Sequence, residues 1–174
     1  TLTNGPTFNS NGGITFDGTN DIVDVPTLTL TGDFSITQTM NLTSTGNGPM
    51  PIGGGFYTGG STYRGYIWFS NSTNEVRFKV NGETGPNFSY SSTNWVDQNI
   101  FYTVTRNGST AKLYINGVEE GEGSISTNDF SIRTIGASYN YPAYSCDGTI
   151  YSTKIYDRAL SVDEVQQNFN AIKN

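Results

Sequence analysis

The chain has 174 residues, of which 14% are charged, with a net charge of −6, no histidine and one cysteine. Scattered cations on an acidic chain exclude a nucleic-acid surface, which needs clustered Lys and Arg to displace counterions. The missing histidines remove the Ser-His-Asp triad and most zinc chemistry, and a lone Cys146 allows neither an internal disulfide nor a thiolate metal site.

The length suits one domain with a real core. Gly, Asn, Ser and Thr abound, as in all-β proteins with many short strands and turns. An aromatic share of 13% marks a folding sequence. No apolar run approaches the roughly 20 residues of a membrane helix, so no membrane insertion is expected. Cys146 reads as a small core or strand-end residue.

Ile14 to Phe16 and Asp21 to Val25 read as short strands joined by Asp17-Gly18-Thr19-Asn20, a tight-turn sequence. Asp33 to Leu42 alternates Phe34, Ile36, Gln38 and Met40 against Ser35, Thr37, Thr39 and Asn41, which predicts a half-buried strand. Thr43 to Thr62 is rich in Gly and Pro and reads as a loop over a sheet face or edge, with a short strand within Met50 to Tyr57. Arg64 to Ser70 and Glu75 to Val80 flank Asn71 to Asn74 as a hairpin. In its second strand Val76, Phe78 and Val80 face one way, Arg77 and Lys79 the other. Asn99 to Arg106 and Thr110 to Asn116 pair across Asn107-Gly108, a strong hairpin signal. Glu119, Glu120 and Glu122 fall in a Gly-rich stretch read as solvated surface. Phe130 to Ala137 and Thr149 to Tyr156 complete the strands. Ser161 to Ile172 reads as a helix, with Ser161 and Glu164 spaced as a capping box and a Val162, Val165, Phe169, Ile172 stripe to dock on the sheets.

Four stretches carry a family resemblance. Phe16 to Val25 resembles an "F-D-G-x-x-D-Y-V-x-V" strand pair, Asp33 to Ile36 the next long strand, Trp95 to Gly117 a "W-H-H-V-A-V-T-x-D-G-S-x-x-L-Y-V-N-G" hairpin, and Asp147 to Leu160 an "F-x-G-x-I-D-x-V-R-I-Y-x-R-A-L-S" close. In this order they resemble laminin-G-like domains of the concanavalin A-like superfamily. The resemblance implies an all-β fold: a two-sheet antiparallel jelly-roll sandwich with one short C-terminal helix, spanning 1–174 as a single domain. Thr1 to Phe8 resembles the tail of a longer lead-in, so the chain is expected to be a fragment of a larger polypeptide.

The resemblance implies glycan recognition, a virion or extracellular location, and calcium in several relatives. Asp17, Asp21 and Asp147 match recurring family acids; the acid usual after "G-x-I" is here Tyr151. Calcium needs six to eight oxygens, and Asp17 and Asp21 serve equally well as turn residues. The superfamily's glucanases carry "E-x-D-x-x-E" on one strand; no such spacing occurs here, so no catalytic residues are expected. For glycan binding the candidates are Tyr57, Tyr63, Tyr66 and Trp68 near the Gly-rich segment, and Tyr139, Asn140, Tyr141 and Tyr144 in the loop before Cys146. The same rings suit a sheet-edge cover or a protein contact. Leu160 to Asn170 is similar to the C-termini of such modules in tailed-bacteriophage structural proteins. The expected function is therefore a non-catalytic virion surface module whose partners are other virion proteins or the parent polypeptide, together with cell-surface glycan. The alternative is a carbohydrate-binding module of a secreted bacterial protein.

Overall fold

A computed structural model describes residues 1–44, 48–54, 64–70, 75–81, 85–89, 96–138 and 144–172. The strands in chain order are β1 (Leu2–Thr3), β2 (Thr7–Phe8), β3 (Ile14–Asp17), β4 (Ile22–Leu30), β5 (Phe34–Ser44), β6 (Ile52–Gly53) and β7 (Arg64–Phe69). They continue with β8 (Glu75–Asn81), β9 (Asn87–Ser89), β10 (Asn99–Asn107), β11 (Thr110–Ile115), β12 (Val118–Ser124), β13 (Phe130–Ile135) and β14 (Asp147–Tyr156), and the helix α1 (Val162–Ile172) closes the order. Among the described residues these strands make two seven-stranded antiparallel sheets. The first runs β1-β4-β13-β6-β7-β8-β9, and the second β12-β11-β10-β5-β14-β3-β2.

Alternation puts one face of each strand into the space between the sheets. Phe34, Ile36, Met40 and Leu42 of β5 meet Ile67, Phe69, Val76, Phe78 and Val80 of the facing sheet. Gln38 interrupts the apolar row without leaving an unpaired amide: it accepts the Tyr102 hydroxyl at 2.7 Å and donates to Thr153 at 2.9 Å. Cys146 is fully buried in this core. Burial and the neighbouring Asp147 raise its thiol pKa, which keeps it protonated and inert.

Three sequence expectations change. The β5 face carrying Ser35 and Thr37 is buried rather than solvated, because the segment entering α1 lies across it. Ser35 Oγ donates to the Arg158 carbonyl and accepts the Leu160 N–H, both at 2.9 Å. Glu119, Glu120 and Glu122 sit in a strand, β12, rather than between strands, although Glu119 and Glu122 are exposed as the solvated-surface reading has them. Its glycines are there for close approach: a Cβ on Gly123 would lie 2.6 Å from Pro86, and one on Gly121 would lie 3.2 Å from the Phe88 ring. Only part of the helical stripe is used. Val165 and Phe169 pack with Phe101, Tyr114 and Leu160, whereas Val162 and Ile172 stay 47% and 39% exposed. Burying Val165 and Leu160 stabilises the docked helix by roughly 1.5–3 kcal/mol each.

The capping box forms. Glu164 N–H donates to Ser161 Oγ at 3.3 Å, and Ser161 N–H donates to Glu164 Oε2 at 2.9 Å. Arg158 grips the same carboxylate with both terminal nitrogens, at 2.7 and 2.8 Å.

Candidate functional site

β7 is a core strand whose second face looks outward. Ile67 and Phe69 point inward, so Tyr66 and Trp68 fall on the outer face. Antiparallel register sets Tyr66 opposite Lys79 and Trp68 opposite Arg77. The Arg77 guanidinium lies 4.2 Å from the Trp68 ring centroid. Tyr144 meets the same indole edge-on, at 6.3 Å and 80°. The Trp68 indole N–H donates to the Gly48 carbonyl at 2.7 Å. Gly48 has φ +87°, and any Cβ there would collide with the indole at 2.4 Å, so the close approach requires glycine. Tyr144 is fixed through its carbonyl, which accepts the Met50 N–H at 3.0 Å.

The fold thus brings together one residue from each aromatic group of the sequence, Trp68 and Tyr144. Tyr66 shares their outer face but is itself buried. Tyr57, Tyr63, Tyr139, Asn140 and Tyr141 lie outside the described residues. Polar groups rim the aromatic pair: Glu75 sits 3.6 Å from Arg77 Nε and accepts from Asn87 Nδ2 at 3.5 Å. Arg77 Nε is buried and has no hydrogen-bond acceptor. An aromatic pair, a planar guanidinium and a carboxylate on one face can stack on a ring and read its hydroxyls.

Asp17 and Asp147 are cross-strand partners on β3 and β14. Their oxygens serve the turn and the sheet: Asp17 Oδ1 accepts the Thr19 N–H at 2.8 Å, and Asp147 Oδ1 accepts the Thr43 hydroxyl at 2.5 Å. Asp21, only 3% exposed, accepts the Asp17 N–H on Oδ2 at 2.9 Å and leaves Oδ1 buried without a partner. Burial raises the Asp21 pKa; the Asp17 N–H opposes this and the Asp17 charge adds to it. One orphaned oxygen is too little for calcium. Among the described residues no three His, Cys, Asp or Glu side chains gather as a metal site, so these Asp do not fit one.

A constellation that the sequence reading passed over lies on the outer face of the second sheet. In a regular strand Glu119 and Glu122 would point to opposite faces. Here β12 bulges: Glu122 pairs with Lys112 and Glu119 with Tyr114, leaving Glu120 as the extra residue. Both carboxylates therefore reach Lys112 Nζ, each at 3.1 Å. Their hydrogen bonds raise the Lys112 pKa. Burial raises the Tyr114 phenol pKa, and the nearby Glu119 charge adds to that. Gly121 and Gly123, unusual in a strand, were the available signal. Elsewhere a cleft of about 310 Å³ opens beside Phe8, Ile14 and Tyr151, with Phe8 78% exposed.

The profile of the Laminin_G_3 family, described as concanavalin A-like lectin/glucanases superfamily, matches residues 17–166. The chain belongs to this superfamily. No curated protein sequence matches this superfamily member. Among solved structures, its fold is similar to a mutant Trypanosoma rangeli sialidase displaying trans-sialidase activity, with TM-score 0.72 and 15% identity over 99% of this chain and 29% of that one. It is similar to domain 4 of AbnA, a GH43 extracellular arabinanase from Geobacillus stearothermophilus, in complex with arabinotriose, with TM-score 0.67 and 17% identity over 96% of this chain and 80% of that one. It is also similar to the heptameric SAP-like pentraxin of Limulus polyphemus, with TM-score 0.64 and 15% identity over 88% of this chain and 79% of that one. The superfamily domain spans about three-tenths of the sialidase chain, and at these identities the likeness is one of fold.

Proposed function

We propose that this domain is a non-catalytic glycan-binding module carried by a larger surface polypeptide. The observation that carries the reading is the outer-face cluster of Trp68, Tyr144 and Arg77. Sugar rings present apolar C–H faces that stack on aromatic side chains, and guanidinium donors suit their hydroxyls. The arabinotriose held by the similar arabinanase domain supports the same ligand class here. The non-catalytic part is supported by the missing "E-x-D-x-x-E" spacing and by Glu119 and Glu122 both being paired with Lys112, each at 3.1 Å.

A glycan array probed with and without calcium tests this. Specific binding, weakened at least tenfold by Trp68→Ala or Tyr144→Ala, is expected. A blank array in both conditions refutes glycan binding, and sustained release of reducing sugar refutes the non-catalytic part.

The parent we infer is a virion structural protein of a tailed bacteriophage, on the likeness of the closing Leu160 to Asn170 segment. Its partners would be neighbouring virion proteins, and its location the virion surface. A secreted bacterial hydrolase is the alternative parent, and sequencing the flanking gene separates the two.

A further inference from the structure

We propose that the groove between the outer face of β10–β12 and the start of α1 is a binding site for a short neutral oligosaccharide. The inference rests on the glycan-binding reading and gives it a subsite separate from Trp68. The groove holds about 580 Å³, within the roughly 300–1,000 Å³ range of small-ligand clefts.

Its floor is built by sheet register. Thr105 lies opposite Lys112, and Lys112 opposite Glu122; the next row is Thr103, Tyr114 and Glu119. Asn107 and Thr110 close one end, and Leu160, Ser161 and Val162 form the far wall. Thr105 is 4% exposed, lines the groove, and its hydroxyl has no hydrogen-bond partner among the described residues. The hydroxyl is reachable by water from the groove, so a ligand hydroxyl would take the place of a water there. Val162 adds an N–H of the first helical turn, which has no acceptor within the helix.

The charges select the ligand class. Lys112 is held between two carboxylates, so no free cation remains to bind an anion. A cationic ligand would meet the Lys112 ammonium already seated between those carboxylates. The walls are carboxylate, amide and hydroxyl, so an apolar ligand would strip water from polar groups without replacing their hydrogen bonds. A neutral polyol replaces them: vicinal hydroxyls donate to Glu122 and Glu119, and accept from Thr110, Asn107 and the helix N–H.

Amide NMR of the full chain, titrated with arabinotriose, cellotriose and maltotriose, tests this. The expected result is shifts along Thr105 to Glu122 and at Ser161 and Val162 with at least one probe. Binding should weaken at least tenfold in Thr105→Val and in Glu122→Gln. The Glu122 side chain is 55% exposed, so its variant stays folded even where the Thr105 variant does not. Groove shifts that persist in Trp68→Ala support a separate subsite. Shifts confined to Trp68 and Tyr144 overturn the groove while leaving glycan binding intact; no shift with any probe overturns the groove, and the array then decides glycan binding independently. Groove shifts of equal size with sialyllactose overturn the neutral class.

Discussion

Arg106 sits over the Phe34 ring, 4.6 Å from its centroid, fully buried between the sheets. Among the described residues no carboxylate pairs with it directly. Instead Nε donates to the Gly32 carbonyl at 2.6 Å, joined there by Nη2, and Nη1 donates to the Asn128 carbonyl at 2.5 Å and the Ser126 carbonyl at 3.5 Å. Burial lowers its pKa, and the charges of Asp33 and Asp129 oppose that. One side chain thereby ties the turn before β5 to the segment before β13. Arg106→Lys keeps the charge but loses the planar fork. A loss of roughly 2–4 kcal/mol is expected from leaving buried acceptors unpaired. Urea unfolding checks it; a change under about 1 kcal/mol would mean that the carbonyls find other donors.

Gly136 has φ +90°, and a Cβ there would lie 2.0 Å from the buried Phe16 ring. Gly136→Ala combines backbone strain with overpacking and should cost about 3 kcal/mol or more. Gly108, at φ +55° with nothing within 4 Å, isolates the backbone part. Gly108→Ala should cost only about 1–2 kcal/mol. Equal losses in chemical denaturation would show that the Phe16 contact is not the cause.

Glu164 links the helix to its lead-in, and the Arg158 fork and the Ser161 N–H lower its pKa from 4.5 to about 2. A depressed carboxylate contributes stability above its unfolded pKa and loses that contribution as pH falls through the folded one. The acid limb between pH 4.5 and about 2 should therefore flatten in Glu164→Gln. Thermal melts across that window check this; parallel wild-type and variant curves would remove the linkage.

Asp17, Asp21 and Asp147 do not assemble a metal site among the described residues. Millimolar calcium, compared with chelator, should leave the thermal midpoint unchanged. A rise of several degrees, abolished by Asp21→Asn, would reveal a site completed by ligands other than these carboxylates.

The pairing of β10 with β11, the capping box and the inward row of β8 were legible in the sequence because each is encoded within a few residues. Asn107-Gly108 specifies a tight turn, Ser161 and Glu164 are spaced to bond each other, and Val76, Phe78 and Val80 alternate. The aromatic candidates were only half legible. Trp68 and Tyr144 could be named as exposed rings, but nothing local places them together. The Lys112 cluster was barely legible, because parity argues against it and only Gly121 and Gly123 hint at an irregular strand.

The sequence alone determined the hairpins and the capped helix, since turn chemistry and side-chain period act between near neighbours, and its family resemblance implied the sandwich class. Only the tertiary structure decided which face of β5 the helix lead-in buries, that Arg106 is satisfied by carbonyls, and that Tyr144 reaches Trp68. It also brought Glu119 and Glu122 to one lysine. Those outcomes depend on sheet order, on register and on one extra residue in β12, and a shift of a single residue sends a side chain to the opposite face.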